Sequence, residues 1–180
     1  MKSQKNYSAW NVSSNVFETS SPRERMLLLV NYAILAPSSH NSQPWKFLLS
    51  SDEISILPDL RRSLPRSDAN HRQLFISLGC AVENLIIAAD YYGLQYNVLF
   101  ENAPVPVVVR VRIENLASPF DRNADSSHLV FSIPHRRVNR HRYSEFFHDA
   151  DFVKSIPSLN LRSDIKIYIV DDLSRREAMS

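Results

Sequence analysis

The chain has 180 residues, 44% of them hydrophobic, and a formal net charge of +2. That length fits one domain with extensions and an apolar core; the near-neutral charge excludes a whole-chain polyanion binder, and the lone Cys80 excludes an internal disulfide framework. The two glycines, Gly79 and Gly93, build neither GxGxxG nor GxxxxGK[ST], so a nucleotide-type cofactor has to be held by side chains and ordinary loops.

Residues 1–20 are polar, without an apolar signal-peptide core, and read as a tail. No apolar run approaches the roughly 20 residues of a membrane span. The expectation is a soluble, cytoplasmic protein. Ser21-Pro22-Arg23-Glu24 then predicts a helix start: Ser21 is the N-cap, Pro22 suits the first helical position, and Glu24 completes a capping box. The helix that follows, through Leu35, is apolar on most sides and predicted to be buried on most sides. Pro37 is expected to stop it.

Residues 36–45, Ala-Pro-Ser-Ser-His-Asn-Ser-Gln-Pro-Trp, form the most distinctive stretch. Turn chemistry explains prolines, serines and an asparagine here. So many hydrogen-bonding side chains before a Pro-Trp pair also read as a polar loop held at a pocket mouth. Residues 45–49 and 54–57 flank Ser50 to Glu53 as a β-hairpin. Residues 58–70 carry Asp59, Arg61, Arg62, Arg66 and Asp68. The preferred reading is a solvated, ion-paired connector; the alternative is that one arginine faces a ligand.

Residues 71–92 predict a long helix. Leu74, Leu78, Ala81, Leu85, Ala88 and Tyr92 recur on one face, with Phe75, Val82, Ile86 and Ala89 beside it. It is expected to be the central helix of the domain or of an association interface. Gly79 within it implies close approach of another backbone, Cys80 a small buried residue, and Gly93 a C-terminal cap. Residues 96–100 and 105–113 read as strands, with Pro104 and Pro106 placing the start of the second at a sheet edge. Residues 114–127 are loop-like, 149–156 a short helix, and 165–170 a strand. Asp171 or Asp172 is expected to cap a helix from Leu173. That last helix is only about two turns long and needs a partner; the pattern fits equally a chain incomplete at its C-terminus and a short, frayed terminal helix.

A second polar constellation runs from Pro134 to Tyr143, with four arginines and two histidines. Guanidinium forks bind phosphate bidentately. A solvated basic helix end and a nucleic-acid patch are competing readings; the cluster's compactness favours one phosphate group. The histidines at 128, 135, 141 and 148 match neither HExxH nor a Cys/His zinc pattern, and GxSxG is absent, so no metal or serine-triad chemistry is indicated.

The segment APSSHNSQPWKF resembles the signature loop of the nitroreductase family of FMN flavoproteins. ISLGCAVENLIIAADYYGL is similar to that family's long central helix, and RRVNR at 136–140 resembles its Arg-Arg-Ser-x-Arg phosphate motif, with Val138 in place of the serine. The motif follows the loop by about 100 residues instead of preceding it, an order similar to the fused, two-half Acg-like subgroup. The resemblance implies an α+β, nitroreductase-like fold: a mainly antiparallel sheet packed with helices around a long buried central helix. It divides the chain into the tail 1–20, a first half 21–125 and the incomplete start of a second half 126–180. It implies that Pro37, Ser38, Ser39 and Asn41 line the flavin ring, that Gln43 supports the loop, that Arg136, Arg137 and Arg140 take the FMN phosphate, and that His40 faces the substrate. NAD(P)H would be the reductant and a nitroaromatic or quinone-like small molecule the acceptor. The flavin carries the chemistry, without a catalytic side chain or metal. The partner is a second half, in a homodimer or an intrachain pseudo-dimer; neither membrane nor nucleic acid is expected. The alternatives are a non-catalytic flavin-binding or sequestering protein and an inactive truncated fragment.

Overall fold

A computed structural model of the chain describes residues 5–12, 17–101, 108–117, 129–138, 150–159, 166–170 and 174–175. The chain divides into two units, residues 1–138 and 139–180.

Helix α1 (Pro22–Ala33) starts where its capping box predicts. The Glu24 carboxylate accepts from the Ser21 N–H at 2.7 Å, and Ser21 Oγ accepts from the Glu24 N–H at 3.4 Å, which satisfies two of the free donors of the first turn. The helix ends before Pro37 acts on it. Leu35 and Ala36 donate to the carbonyls of Tyr32 and Ala33, a tightening of the last turn into 3-10 geometry. Burial on most sides is corrected: Leu27 is exposed, and Val30 and Ile34 are only half-buried.

Strands β1 (Trp45–Leu49) and β2 (Glu53–Pro58) form the predicted antiparallel hairpin, with Trp45 opposite Pro58 and Leu49 opposite Ile54. Strands β3 (Tyr96–Glu101) and β4 (Val108–Ile113) complete an antiparallel sheet of order β1-β2-β4-β3. From Val109 onward β4 is an interior strand, pairing with both β2 and β3. The edge placement read from Pro104 and Pro106 therefore does not extend to the strand itself, and those two prolines lie outside the described residues. Period-2 alternation puts Ile54, Ile56, Val109, Val111 and Ile113 into the core, while Leu48 and Leu99 stay exposed.

Helix α2 (Arg72–Tyr91) packs against α1 and β2. The predicted stripe of Leu74, Leu78, Ala81, Leu85, Ala88 and Tyr92 is buried throughout. Its start is set by Asp68, whose carboxylate accepts from the N–H groups of Gln73 (3.0 Å) and Leu74 (2.9 Å). Its end is a Schellman turn. Leu94 N–H reaches Ala89 O, Gly93 N–H reaches Asp90 O, and Gly93 takes φ 62°. Two expectations change here. A Cβ on Gly79 would meet nothing within 4 Å, so among the described residues no close backbone approach explains this glycine. The helix is also not buried all round: Phe75 and Ile76 are exposed and Cys80 is half-buried. By length and composition α2 is apolar enough to cross a membrane, although Glu83, Asn84 and Asp90 interrupt any continuous apolar run. Its buried face is the core of this unit, which accounts for the apolarity without a bilayer.

The first 20 residues are not merely a tail. Residues Lys5–Trp10 form a 3-10 helix, and Phe17 is buried. Phe17 stacks on Tyr92 at 4.0 Å, with the Arg25 guanidinium 4.9 Å from its ring centroid. Arg25 is itself buried and donates to the carbonyls of Phe17 and Leu116. Aromatic stacking and a buried cation hold this segment, and neither leaves a periodic trace in sequence.

Helix α3 (Leu129–Ser132) and the 3-10 turn Ile133–His135 bury Val130 and Ile133 and deliver the basic segment to the edge of the core. In the second unit, α4 (Ala150–Ser155) continues as the 3-10 turn Ile156–Leu159, where a short helix is predicted. The strand predicted over 165–170 is not seen: residues 166–170 have no ladder partner among the described residues, and Ile167, Tyr168 and Ile169 are exposed. β-branched and aromatic residues favour a strand only where a neighbour completes the ladder. Asp171, Asp172, Leu173 and most of the loop predicted over 114–127 lie outside the described residues.

Candidate functional site

Residues 36–45 fold as a taut polar loop between α1 and β1. Its middle is a 3-10 turn, Ser39–Asn41. Three of its residues take left-handed backbone angles: His40 (φ 53°), Asn41 (φ 53°) and Gln43 (φ 49°). Asparagine tolerates that region; histidine and glutamine adopt it at a cost of about 1–2 kcal/mol each. The surroundings enforce it. Ser38 Oγ accepts from the Gln43 N–H at 2.9 Å, Ser39 Oγ donates to Gln73 Oε1 at 2.6 Å, and Arg62 Nη1 donates to Ser42 O at 3.2 Å. The far end is pinned by buried Pro44, whose carbonyl accepts from the Asp59 N–H at 2.9 Å, and by buried Trp45.

Pro37, Ser38, Ser39 and Gln43 are half-buried, whereas His40 and Asn41 are exposed. Among the described residues the side chains of His40 and Asn41 make no hydrogen bond. Behind the loop lies a cavity of about 10 Å³ lined by Ser39, Ser42, Arg62, Asp68 and Ser77. That is room for about one water, so this cavity does not admit a larger ligand.

The basic segment comes to the other end of the same loop. Arg136 Nη2 donates to Leu35 O at 3.1 Å, across 101 positions of sequence. Its Nε is buried and has no partner among the described residues. Arg137 is exposed and turned elsewhere: its guanidinium carbon lies 4.2 Å from the Trp10 ring centroid, and its Nη1 donates to the carbonyls of Pro134 and Arg136. Asn139 and Arg140 lie outside the described residues. Cys80 is no candidate nucleophile: burial pushes its thiol up, partly offset by the Arg136 charge. Among the described residues no group of three His, Cys, Asp or Glu side chains could hold a metal ion.

Sequence reasoning missed the loop's supports. Gln73 lies outside the apolar stripes of α2 and is the acceptor for Ser39. The connector was read as solvated, but Asp59 and Asp68 are both buried. Asp59 gathers Lys46 (3.3 Å), Arg61 (3.1 Å) and Arg62 (3.9 Å), and is held down to a pKa of about 2, chiefly by the Arg61 hydrogen bonds. Asp68 is likewise below the usual carboxylate range: its burial acts upward, but the hydrogen bonds from Gln73 and Leu74 and the charge of His71 outweigh it.

No family model matches the chain. Individual relatives do. "Putative NAD(P)H nitroreductase Rv3131" of Mycobacterium tuberculosis (strain ATCC 25618 / H37Rv) is 30% identical over 124 residues, 67% of this chain and 35% of that protein. "Putative NAD(P)H nitroreductase acg" of the same strain is 31% identical over 77 residues, 43% of this chain and 23% of that protein. "Uncharacterized protein Rv3127" is 34% identical over 70 residues, 37% of this chain and 20% of that protein. The chain thus spans about a third of the length of the first of these relatives. Over that shared part it is a distant homologue of proteins named as NAD(P)H nitroreductases, which supports the kinship read from its polar loop and central helix.

Proposed function

We propose that this chain supplies one wall of an FMN site in an NAD(P)H-dependent oxidoreductase of nitroreductase type. The observation that carries the reading is the meeting of Arg136 with the polar loop. A buried guanidinium N–H, unpartnered among the described residues, lies at one end of a loop whose open side offers the exposed side chains of His40 and Asn41. Arginine N–H groups suit a phosphate, and amide and hydroxyl groups suit the polar edge of an isoalloxazine. The residues present therefore fit the group. Arg136 and Arg137, with Arg140, would hold the phosphate; Pro37, Ser38, Ser39 and Asn41 would face the ring.

Bound FMN would supply the redox chemistry, carrying electrons from NAD(P)H to an electron-poor acceptor such as a nitroaromatic or quinone. The chain's part is positional. Ser38 and Gln73 lock the loop, Pro37 and Pro44 limit its freedom, and exposed His40 lies where an acceptor can reach it. A second half, from another copy or the same polypeptide, completes the site in this reading; exposed Phe75 and Ile76 on α2 suit such an association. A binding-only protein is the second reading.

The test is to purify the chain, titrate it into FMN, and follow quenching of flavin fluorescence. The next measurement is NADPH and NADH oxidation with a quinone acceptor. Quenching with turnover supports the enzyme; quenching without turnover supports the binding-only protein. Absence of quenching ends both for this chain by itself.

A further inference from the structure

The connector after β2 holds a charge arrangement that the flavin reading does not use. Asp59 caps a 3-10 turn, Leu60–Arg62, accepting from the Arg61 N–H at 3.3 Å. The same carboxylate takes Lys46 Nζ at 3.3 Å, Arg61 Nε at 3.1 Å and Arg62 Nε at 3.9 Å. The carboxylate side chain is 7% exposed, whereas Lys46, Arg61 and Arg62 are 50%, 81% and 55% exposed. Three solvent-facing cations thus share one sunken anion, an excess of two positive charges (three minus one). Asp68, the next acid in the connector, is committed to the N–H groups that open α2. Arg62 ties the cluster to the polar loop through Ser42 O.

An ordinary surface spreads like charges apart. Here a buried carboxylate gathers them, so their mutual repulsion is built in and their orientation is largely prepaid. The ligand that best relieves such an excess is a dianion with several acceptor oxygens. A phosphate monoester carries roughly −1.5 to −2 charges on one phosphorus near neutral pH; the diphosphate bridge of a dinucleotide spreads its two charges over two phosphates. We propose that Lys46, Arg61 and Arg62 form a phosphomonoester subsite beside the loop, that its ligand is the 2′-phosphate of NADPH, and that the chain therefore selects NADPH over NADH. This rests on the flavin reading above for its biological sense, but the binding itself does not depend on it. The other monoester at hand is that of FMN, and the experiment separates the two.

The probes are 2′-phospho-ADP-ribose, ADP-ribose and FMN, titrated into wild type, Arg61→Ala and Arg61→Lys. Calorimetry follows the first two and fluorescence quenching the third. Arg61 makes its ion pair with Asp59 and is largely exposed, and Lys46 and Arg62 keep that carboxylate paired in its absence, so the fold should persist with a lowered melting temperature; a cooperative melt and an unchanged circular dichroism spectrum check that. The expected result is tighter wild-type binding of 2′-phospho-ADP-ribose than of ADP-ribose, with Arg61→Ala weakening only the former by about tenfold. Arg61→Lys should restore part of the loss, because it keeps the charge and gives up the fork. Equal affinity for the two ADP-ribose probes overturns the subsite, as does a tenfold loss confined to FMN, which would assign the cations to the flavin phosphate. Quenching of FMN with no discrimination between the probes sinks the subsite alone. Discrimination through Arg61 without FMN quenching sinks the flavin reading and leaves the subsite standing.

Discussion

The polar loop at 36–45 and the basic segment beginning at Arg136 are the two parts of the candidate site, and they are held differently. The loop is fixed from behind: Ser38, Ser39 and the Ser42 carbonyl bond to their own scaffold, and three left-handed residues lie in sequence between two prolines. Among the described residues the Arg136 guanidinium is anchored at one nitrogen and keeps a buried donor unpaired, and Arg137 is occupied by Trp10 and by nearby carbonyls. A ligand finds the loop preorganised, but it has to compete for Arg137. That contrast assigns geometry to the loop and affinity to the arginines, and substitutions can break it.

The largest effect is expected at Arg136. In Arg136→Ala the Leu35 carbonyl loses its charged donor, at a cost of about 1.5–3 kcal/mol in a denaturant melt. FMN affinity should fall by about tenfold or more, since a charged hydrogen bond is worth at least that factor. Stability lost with FMN binding unchanged would make Arg136 purely structural. Ser38→Ala should cost about 1 kcal/mol, because the Gln43 N–H loses its acceptor in a backbone that depends on it. FMN quenching should weaken in parallel; if it does not, the loop's locking is irrelevant to binding.

His40→Gly should act in the opposite direction on stability. Glycine accepts φ 53° freely, so relief of the left-handed residue should raise stability by about 1 kcal/mol, measured by chemical denaturation. A fall instead would mean that the histidine side chain packs in a way its exposure does not suggest. Trp10→Ala releases Arg137 from a contact worth about 0.5–1 kcal/mol at an exposed site. FMN should then bind about two- to fivefold tighter; weaker binding would mean that Trp10 orients Arg137 for the ligand.

The smallest effect is one of pH. Asp59 is lowered to about 2 by Arg61 first and Lys46 after, against a usual carboxylate value of about 4. A depressed carboxylate stabilises the fold fully above its unfolded pKa, and that contribution disappears as pH falls through the folded value. The melting-temperature gap between wild type and Asp59→Asn should therefore narrow between pH 5 and pH 2.5. A gap that stays constant would show that the ion cluster adds nothing to the connector.

Much of this molecule is legible in its sequence because the signals are local. The Ser21–Glu24 box, the 45–58 hairpin, the apolar stripe of α2 and the Gly93 turn each depend on residues a few positions apart, and backbone geometry leaves them few alternatives. The loop was legible as polar and taut from its composition, and as a flavin-type loop from its resemblance to a family. The missing pieces are contacts between segments far apart in the chain. Phe17 stacks on Tyr92, Gln73 receives Ser39, and Arg136 reaches Leu35; none of these has a period to read. The buried Asp59 and Asp68 look like surface charges until their partners are known, because charge in sequence carries no sign of burial. Residues 166–170 show the converse, a strand-like composition with no strand beside it among the described residues.

By itself, then, the sequence determined where α1 begins, where the 45–58 hairpin and α2 lie, which face of α2 is apolar, and which residue types are available for a cofactor. Hydrogen bonds within a few residues and side-chain periodicity are enough for that. Only the tertiary structure decided that β4 is an interior strand, that the loop is held in a left-handed conformation, that one arginine meets it while the next rests on Trp10, and that three cations gather on one carboxylate. Those outcomes depend on long-range packing, where loop closure and burial set which polar groups find partners.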